Sequence, residues 1–91
     1  MSIETQIKET GSQATLKANP YFYAQAFYSG KFHSETFIVF GTHRASTYTA
    51  AARHAIRVGP DDAEVEKIHL YKNNYKDMSA LLLEQGKYIV A

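Results

Sequence analysis

The sequence predicts an α+β fold: a single antiparallel β-sheet with one main helix packed on one face, in the order β-β-α-β-β with extra short edge elements. Three observations carry this reading. Tyr21 to Tyr28 reads YFYAQAFY, an aromatic run of the kind strands favour, and Ser29-Gly30 follows it as a hairpin signal. Arg44 to Pro60 reads RASTYTAAARHAIRVGP and has helical grammar. Val65 to Lys72 alternates again, with Ile68 and Leu70 on one side and Val65, His69 and Tyr71 on the other.

The chain begins with a polar arm. Ile3 and Ile7 are four apart, so residues 1–13 read as a mobile arm or a short helical turn ending at Gly11-Ser12. Ala14 to Ala18 reads as a short edge strand that Asn19-Pro20 breaks. In the first long strand, Tyr21, Tyr23, Gln25 and Phe27 alternate with Phe22, Ala24, Ala26 and Tyr28. The small alanines between large rings suit a helix lying across that side. Lys31 to Phe40 reads as the return strand.

The helix is expected over Ser46 to Val58. A hydroxyl of Ser46 or Thr47 is placed to accept from a free N–H at its start. Gly59 suits a left-handed stop, and Pro60 cannot continue a helix. Tyr48, Ala52, Ala55 and Ile56 form the expected apolar stripe toward the sheet. Asp61 to Glu64 reads as an acidic turn and Asn73-Asn74 as a loop. The tail has two readings. Leu81 to Leu83 suits a short helix capped by Asp77 or Ser79. Alternatively, Ala80 to Glu84 and Lys87 to Val90 form a hairpin about Gln85-Gly86, which the β-rich second half favours.

Ninety-one residues suit one domain, residues 1–91. A chain of this size buries roughly two-thirds of its unfolded surface, which leaves little room for a deep enclosed active site. The net charge of +1 does not argue for nucleic acid by itself, but its distribution is uneven. All three arginines lie between Arg44 and Arg57, and no acid occurs from Thr36 through Pro60. There is no cysteine, hence no disulfide framework and no thiolate zinc site. The N-terminus lacks the basic start and apolar core of a signal peptide, and no apolar run is long enough to span a membrane. A soluble protein of the cytoplasm is expected.

The basic helix face is the most function-like feature. Arg53 and Arg57 are four apart and project as neighbours, with His54 beside them and Arg44 at the helix start. Arginine's planar fork binds phosphate or carboxylate through two bonds, so the target is a nucleic-acid backbone or an acidic protein surface. Charged helix faces are ordinary, and the competing reading is a solvated surface. Lys31 on the return strand joins the candidates, as do Tyr71 and Tyr75 near the loop, since tyrosine favours interfaces and stacks on bases. Tyr23 and Tyr48 are expected in packing instead. The histidines at 33, 43, 54 and 69 lack the short repeated spacing of a metal site. His33 and Glu35 share a strand side and could pair as acid and base, but no nucleophile accompanies them. No enzyme, metal, cofactor or small-molecule substrate is expected.

Taken whole, the chain resembles the phage-encoded anti-CRISPR proteins that block type I-F surveillance complexes. Two stretches carry the resemblance: MSIETQIKETGSQATLKANPYFYAQAFY and RASTYTAAARHAIR. These proteins share no common motif, so no family residue is carried over. The resemblance implies a non-enzymatic, stoichiometric inhibitor acting in the host bacterial cytoplasm. It would bind protein subunits of the RNA-guided surveillance complex, with contact to guide-RNA backbone, and block target-DNA binding. The alternative is a small nucleic-acid-binding module of phage or bacterial origin that uses the same helix.

Overall fold

The structure is a computed structural model that describes residues 3–30, 34–72 and 75–91, with side chains from Gly11 onward. The elements follow in the order α1 (Ile3–Ala18), β1 (Tyr21–Tyr28), β2 (Ser34–Phe40), α2 (Arg44–Val58), β3 (Val65–Lys72), α3 (Lys76–Glu84) and β4 (Tyr88–Val90). Four strands form one sheet in the order β3-β1-β2-β4. The expected α+β class with a single sheet is what the chain adopts. The expected start of the return strand, Lys31 to His33, and the loop at Asn73-Asn74 lie outside the described residues.

Strand β1 is central and antiparallel to both neighbours. It pairs Tyr23 with Ile38 on β2 and with Tyr71 on β3. Its β3 register shifts at Phe27/Tyr28, where the ladder ends in a bulge. Strand β4 runs parallel to β2, with Val39 opposite Ile89, so the sheet is mixed rather than wholly antiparallel. The tail is therefore not a hairpin. Ser79, Ala80, Leu82 and Leu83 are buried, a spacing that forms one side of a helix, and α3 carries the chain across before β4 begins.

The sheet is covered on both sides, which the expected single helix did not anticipate. On one side Phe22, Ala24, Ala26, Tyr28, Phe37 and Val39 pack with Ala51 and Ala55 of α2. On the other, Tyr21, Tyr23, Ile38 and Phe40 pack with Leu16 of α1 and with Ala80, Leu82 and Leu83 of α3. Topology explains the division. The β2–α2–β3 crossover moves across the sheet one way and β3–α3–β4 moves back. Crossovers of one hand taken in opposite directions leave their helices on opposite sides.

Two local expectations change. Ala14 to Ala18 is helical, not an edge strand: α1 kinks at Gly11 (φ 75°, ψ 168°) and then continues. Alanine, leucine and lysine are good helix formers, and the Thr15 hydroxyl donates back to the Gly11 carbonyl at 2.7 Å. Helix α2 starts at Arg44 with His43 as cap, without a side-chain cap bond. The Ser46 and Thr47 hydroxyls do not cap it. They donate to the His43 carbonyl at 3.1 and 3.0 Å.

Candidate binding faces

Helix α2 is rotated from its expected setting. Thr47, Ala51 and Ala55 are the buried residues, while Tyr48 is 48% exposed and Ile56 71% exposed. The expected stripe of Tyr48, Ala52, Ala55 and Ile56 is thus only partly the core stripe. Small residues win the inward positions because the sheet below already presents Phe22, Tyr28 and Phe37, all buried. Close approach of helix to sheet leaves no room there for tyrosine or isoleucine.

The outward side of α2 then has two adjacent rows. Tyr48, Ala52 and Ile56 form one at four-residue spacing, and Thr49, Arg53 and Arg57 form the next. Arg53 and Arg57 are exposed and stand about 6 Å apart along the axis. Among the described residues neither makes a hydrogen bond or ion pair. The result is an apolar row with a tyrosine at one end and two free guanidinium groups alongside.

Arg44 and His54 belong elsewhere. Arg44 donates from Nη2 to the Leu70 carbonyl at 3.3 Å, and its guanidinium lies 6.0 Å from the Phe22 ring centre. It ties the first turn of α2 to β3. The His54 ring is half-buried and meets Phe37 edge-on, with centres 4.6 Å apart. Its Nδ1 is buried without a hydrogen-bond partner. Burial, seconded by Arg57, pushes its pKa below the usual histidine range, while Glu35 opposes the shift. His54 therefore sits under the helix as a neutral packing group.

Tyr71 and Tyr75 lie on the opposite side of the sheet. Among the described residues, helices α1 and α3 cover the part of that side around Tyr21, Tyr23, Ile38 and Phe40, with Tyr71 packed against its edge. Beyond them Gln25, Phe27, Thr36 and Tyr71 are half-buried, and Ser34, Lys67 and His69 are exposed. The rings form a connected series. Phe27 meets His69 at 5.4 Å, His69 meets Tyr71 at 6.1 Å, and Tyr71 meets Tyr75 at 5.4 Å. Tyr23 underlies the last pair, 5.0 Å from Tyr75. The Tyr71 hydroxyl and His69 Nδ1 are 3.2 Å apart. Lys67 places its ammonium 5.1 Å from the Phe27 ring centre.

Tyr75 is held in the left-handed region (φ 59°, ψ 50°) as the cap of α3. That conformation costs a bulky L-residue roughly 1–2 kcal/mol. Its side chain is 54% exposed, so the strain aims a ring at solvent and at Tyr71.

The predicted site is thus divided between two faces. Arg53 and Arg57 are together on α2. Tyr71 and Tyr75 are together across the sheet. Arg44 is exposed but tied to the Leu70 carbonyl of β3, His54 packs beneath the helix, and Lys31 lies outside the described residues. Tyr48 and Ile56 were missed as surface groups because helical spacing alone does not say which stripe turns inward. His69 was reached only as part of the fallback sheet face around Tyr71, and Phe27 and Lys67 were missed because their alternation reads equally as packing. Among the described residues no three potential metal ligands come together, and no helix is long and apolar enough to cross a membrane. Comparison with protein-family models, curated proteins and solved structures finds no match to this chain.

Proposed function

We propose that this chain is a non-enzymatic phage inhibitor that binds a type I-F CRISPR surveillance complex and blocks target-DNA binding. The supporting observation is the outward side of α2, where exposed Tyr48 and Ile56 run beside Arg53 and Arg57. Tyrosine and arginine dominate the energetics of protein interfaces, and an apolar row beside them supplies a surface that association can dry. The arginines face an acidic subunit surface or guide-RNA phosphate, and the tyrosine fills a pocket. Inhibition is steric and proceeds without turnover.

The test is a titration of assembled surveillance complex with the purified protein, read by loss of target-DNA binding. Inhibition should saturate at a fixed molar ratio. The paired variant Arg53→Glu with Arg57→Glu should fold normally and lose inhibition. Inactivation of many complexes by one molecule, or full inhibition by the charge-reversed protein, overturns the reading. Tight binding to bare nucleic acid that the same pair of substitutions abolishes would instead favour a small nucleic-acid-binding module.

A further inference from the structure

We infer that the uncovered half of the sheet, formed by β1 and β3 and capped by Tyr75, is a platform for unpaired nucleobases of single-stranded RNA or DNA. The inference stands on its own and does not depend on what α2 binds.

Three observations carry it. The surface is built of rings: Phe27, His69, Tyr71 and Tyr75 follow one another at 5.4, 6.1 and 5.4 Å between centres. Consecutive rings meet at steep angles, 63° for Phe27 with His69 and 88° for Tyr71 with Tyr75. Each edge-to-face contact covers one face of one ring of the pair, and Lys67 lies over the Phe27 ring, so a base would stack on the remaining faces of Tyr71 and Tyr75. Base-on-ring stacking tolerates sequence because every base has a π-face.

The polar groups between the rings suit the same occupant. Gln25 lies opposite His69 on β3 and opposite Thr36 on β2, and Ser34 lies opposite Phe27. An amide and two hydroxyls both donate and accept, as base edges require. Aliphatic side chains, which a protein-binding patch would use, are scarce on this half-face; Val65, beyond the bulge, packs on the α2 side instead.

Charge points the same way. Lys67 stands on this side of β3, and among the described residues outside the Phe27/Tyr28 bulge no carboxylate shares it. Glu66 is the unpaired residue of the bulge, between Lys67 opposite Phe27 and Val65 opposite Tyr28. Glu35 pairs with Ala26, also on the α2 side. Lys76 and Asp77 follow Tyr75 in the first turn of α3 and offset one another. An aromatic, amide-bearing surface with a lysine at its edge is complementary to a single strand, whose backbone is anionic and whose bases are free to splay.

The experiment uses the purified full chain and fluorescently labelled 12-nucleotide oligo-U, oligo-dT and a mixed-sequence duplex, read by anisotropy at low and moderate salt. Wild type should bind both single strands, weaken as salt rises, and bind the duplex far less. Tyr71→Ala and Tyr75→Ala should each weaken single-strand binding by on the order of 5- to 150-fold, the range expected for losing one stacked base. Tyr71→Phe keeps a ring and should keep most of the binding, which separates stacking from a folding defect. Lys67→Glu, an exposed change, should weaken binding with folding intact. Arg53→Ala with Arg57→Ala should leave it unchanged. No single-strand binding by wild type at low salt overturns the inference. So does equal binding of duplex, or loss of binding in the Arg53/Arg57 variant with Tyr71→Ala unaffected. Loss of surveillance-complex binding by Tyr71→Ala, without any affinity for the oligonucleotides, assigns the face to a protein and also overturns it.

Discussion

Gly59 shows how one residue can be right for a different reason. A glycine after a helix suggests a left-handed stop, but Gly59 has φ −76° and ψ 171°, which any residue adopts. Space is what requires it. A Cβ there would run into the Tyr28 ring and stand 2.9 Å from the Ala55 carbonyl. That carbonyl accepts twice, from the Gly59 N–H at 3.0 Å and from the Tyr28 hydroxyl at 2.6 Å. Gly59→Ala should therefore destabilise by about 1–3 kcal/mol through overpacking, seen in chemical denaturation. Tyr28→Phe should cost about 1 kcal/mol or less, because the backbone bond to Ala55 survives. His54 supplies a pH signature. Burial lowers its folded-state pKa, so the unfolded chain binds the proton first as pH falls. The His54 contribution to stability is complete above the unfolded value of roughly 6.5 and is lost as pH drops from there through the lowered folded value. Melting temperature should fall across that window in wild type and fall less steeply in His54→Gln. Equal slopes for the two proteins would remove His54 as the cause.

At the level of elements, α2 turns an inviting stripe outward. With Ile56 71% exposed, Ile56→Asp should change stability by about 0.5 kcal/mol or less, whereas a core-facing isoleucine would bury an unpaired charge and unfold the domain. A thermal melt decides between these settings. The three main strands and α2 were legible because alternation and helical spacing survive as local patterns, whereas α1 was legible at most as a short turn. The rotation of α2 was not, since Tyr48, Ala52, Ala55 and Ile56 are as apolar as Thr47, Ala51 and Ala55. Only the bulk of Phe22, Tyr28 and Phe37 beneath the helix decides between them, and that is a long-range fact. The tail was legible in part. Gly86 has φ 77°, Gly86 N–H bonds to Leu83 O at 3.1 Å, and Lys87 N–H bonds to Leu82 O at 2.8 Å. This paired closure is a helix ending that glycine signals, and it reads locally much like the hairpin turn first expected at Gln85-Gly86. Gly86→Ala should cost roughly 1–2 kcal/mol, because the same φ strains a residue with a Cβ. Of the candidate site, residue types were legible and grouping was not. Arg53, Arg57, Tyr71 and Tyr75 are exposed or half-exposed, but the sheet separates them into two pairs.

For the whole molecule, that separation has a consequence for binding. The sheet order β3-β1-β2-β4 places α2 on one side and the Phe27–His69–Tyr71–Tyr75 rings on the other, in a body whose shortest dimension is 20 Å. Residues that share no partner and lie more than about 7–10 Å apart usually contribute independently. The two surfaces should accordingly behave as separate modules. Replacing Arg53 and Arg57 by alanine should leave the melting temperature nearly unchanged, since alanine is at least as good a helix former. If the chain is the proposed inhibitor, its binding to the assembled surveillance complex should weaken by about 2–5 kcal/mol for each arginine that is desolvated there, and much less for one at the rim. Oligonucleotide affinity should stay at its wild-type value. Tyr71→Ala should do the reverse for oligonucleotides. In the complex it should add its own loss to that of the arginines, within about 0.5 kcal/mol, wherever guide RNA reaches the sheet. The measurement is a four-protein cycle of wild type, the arginine pair, Tyr71→Ala and the combination, titrated against complex and oligo-U with a melt of each. Strong non-additivity among folded variants would mean that the sheet transmits one occupancy to the other side. Equal complex affinity for wild type and the arginine pair would remove α2 as the docking face.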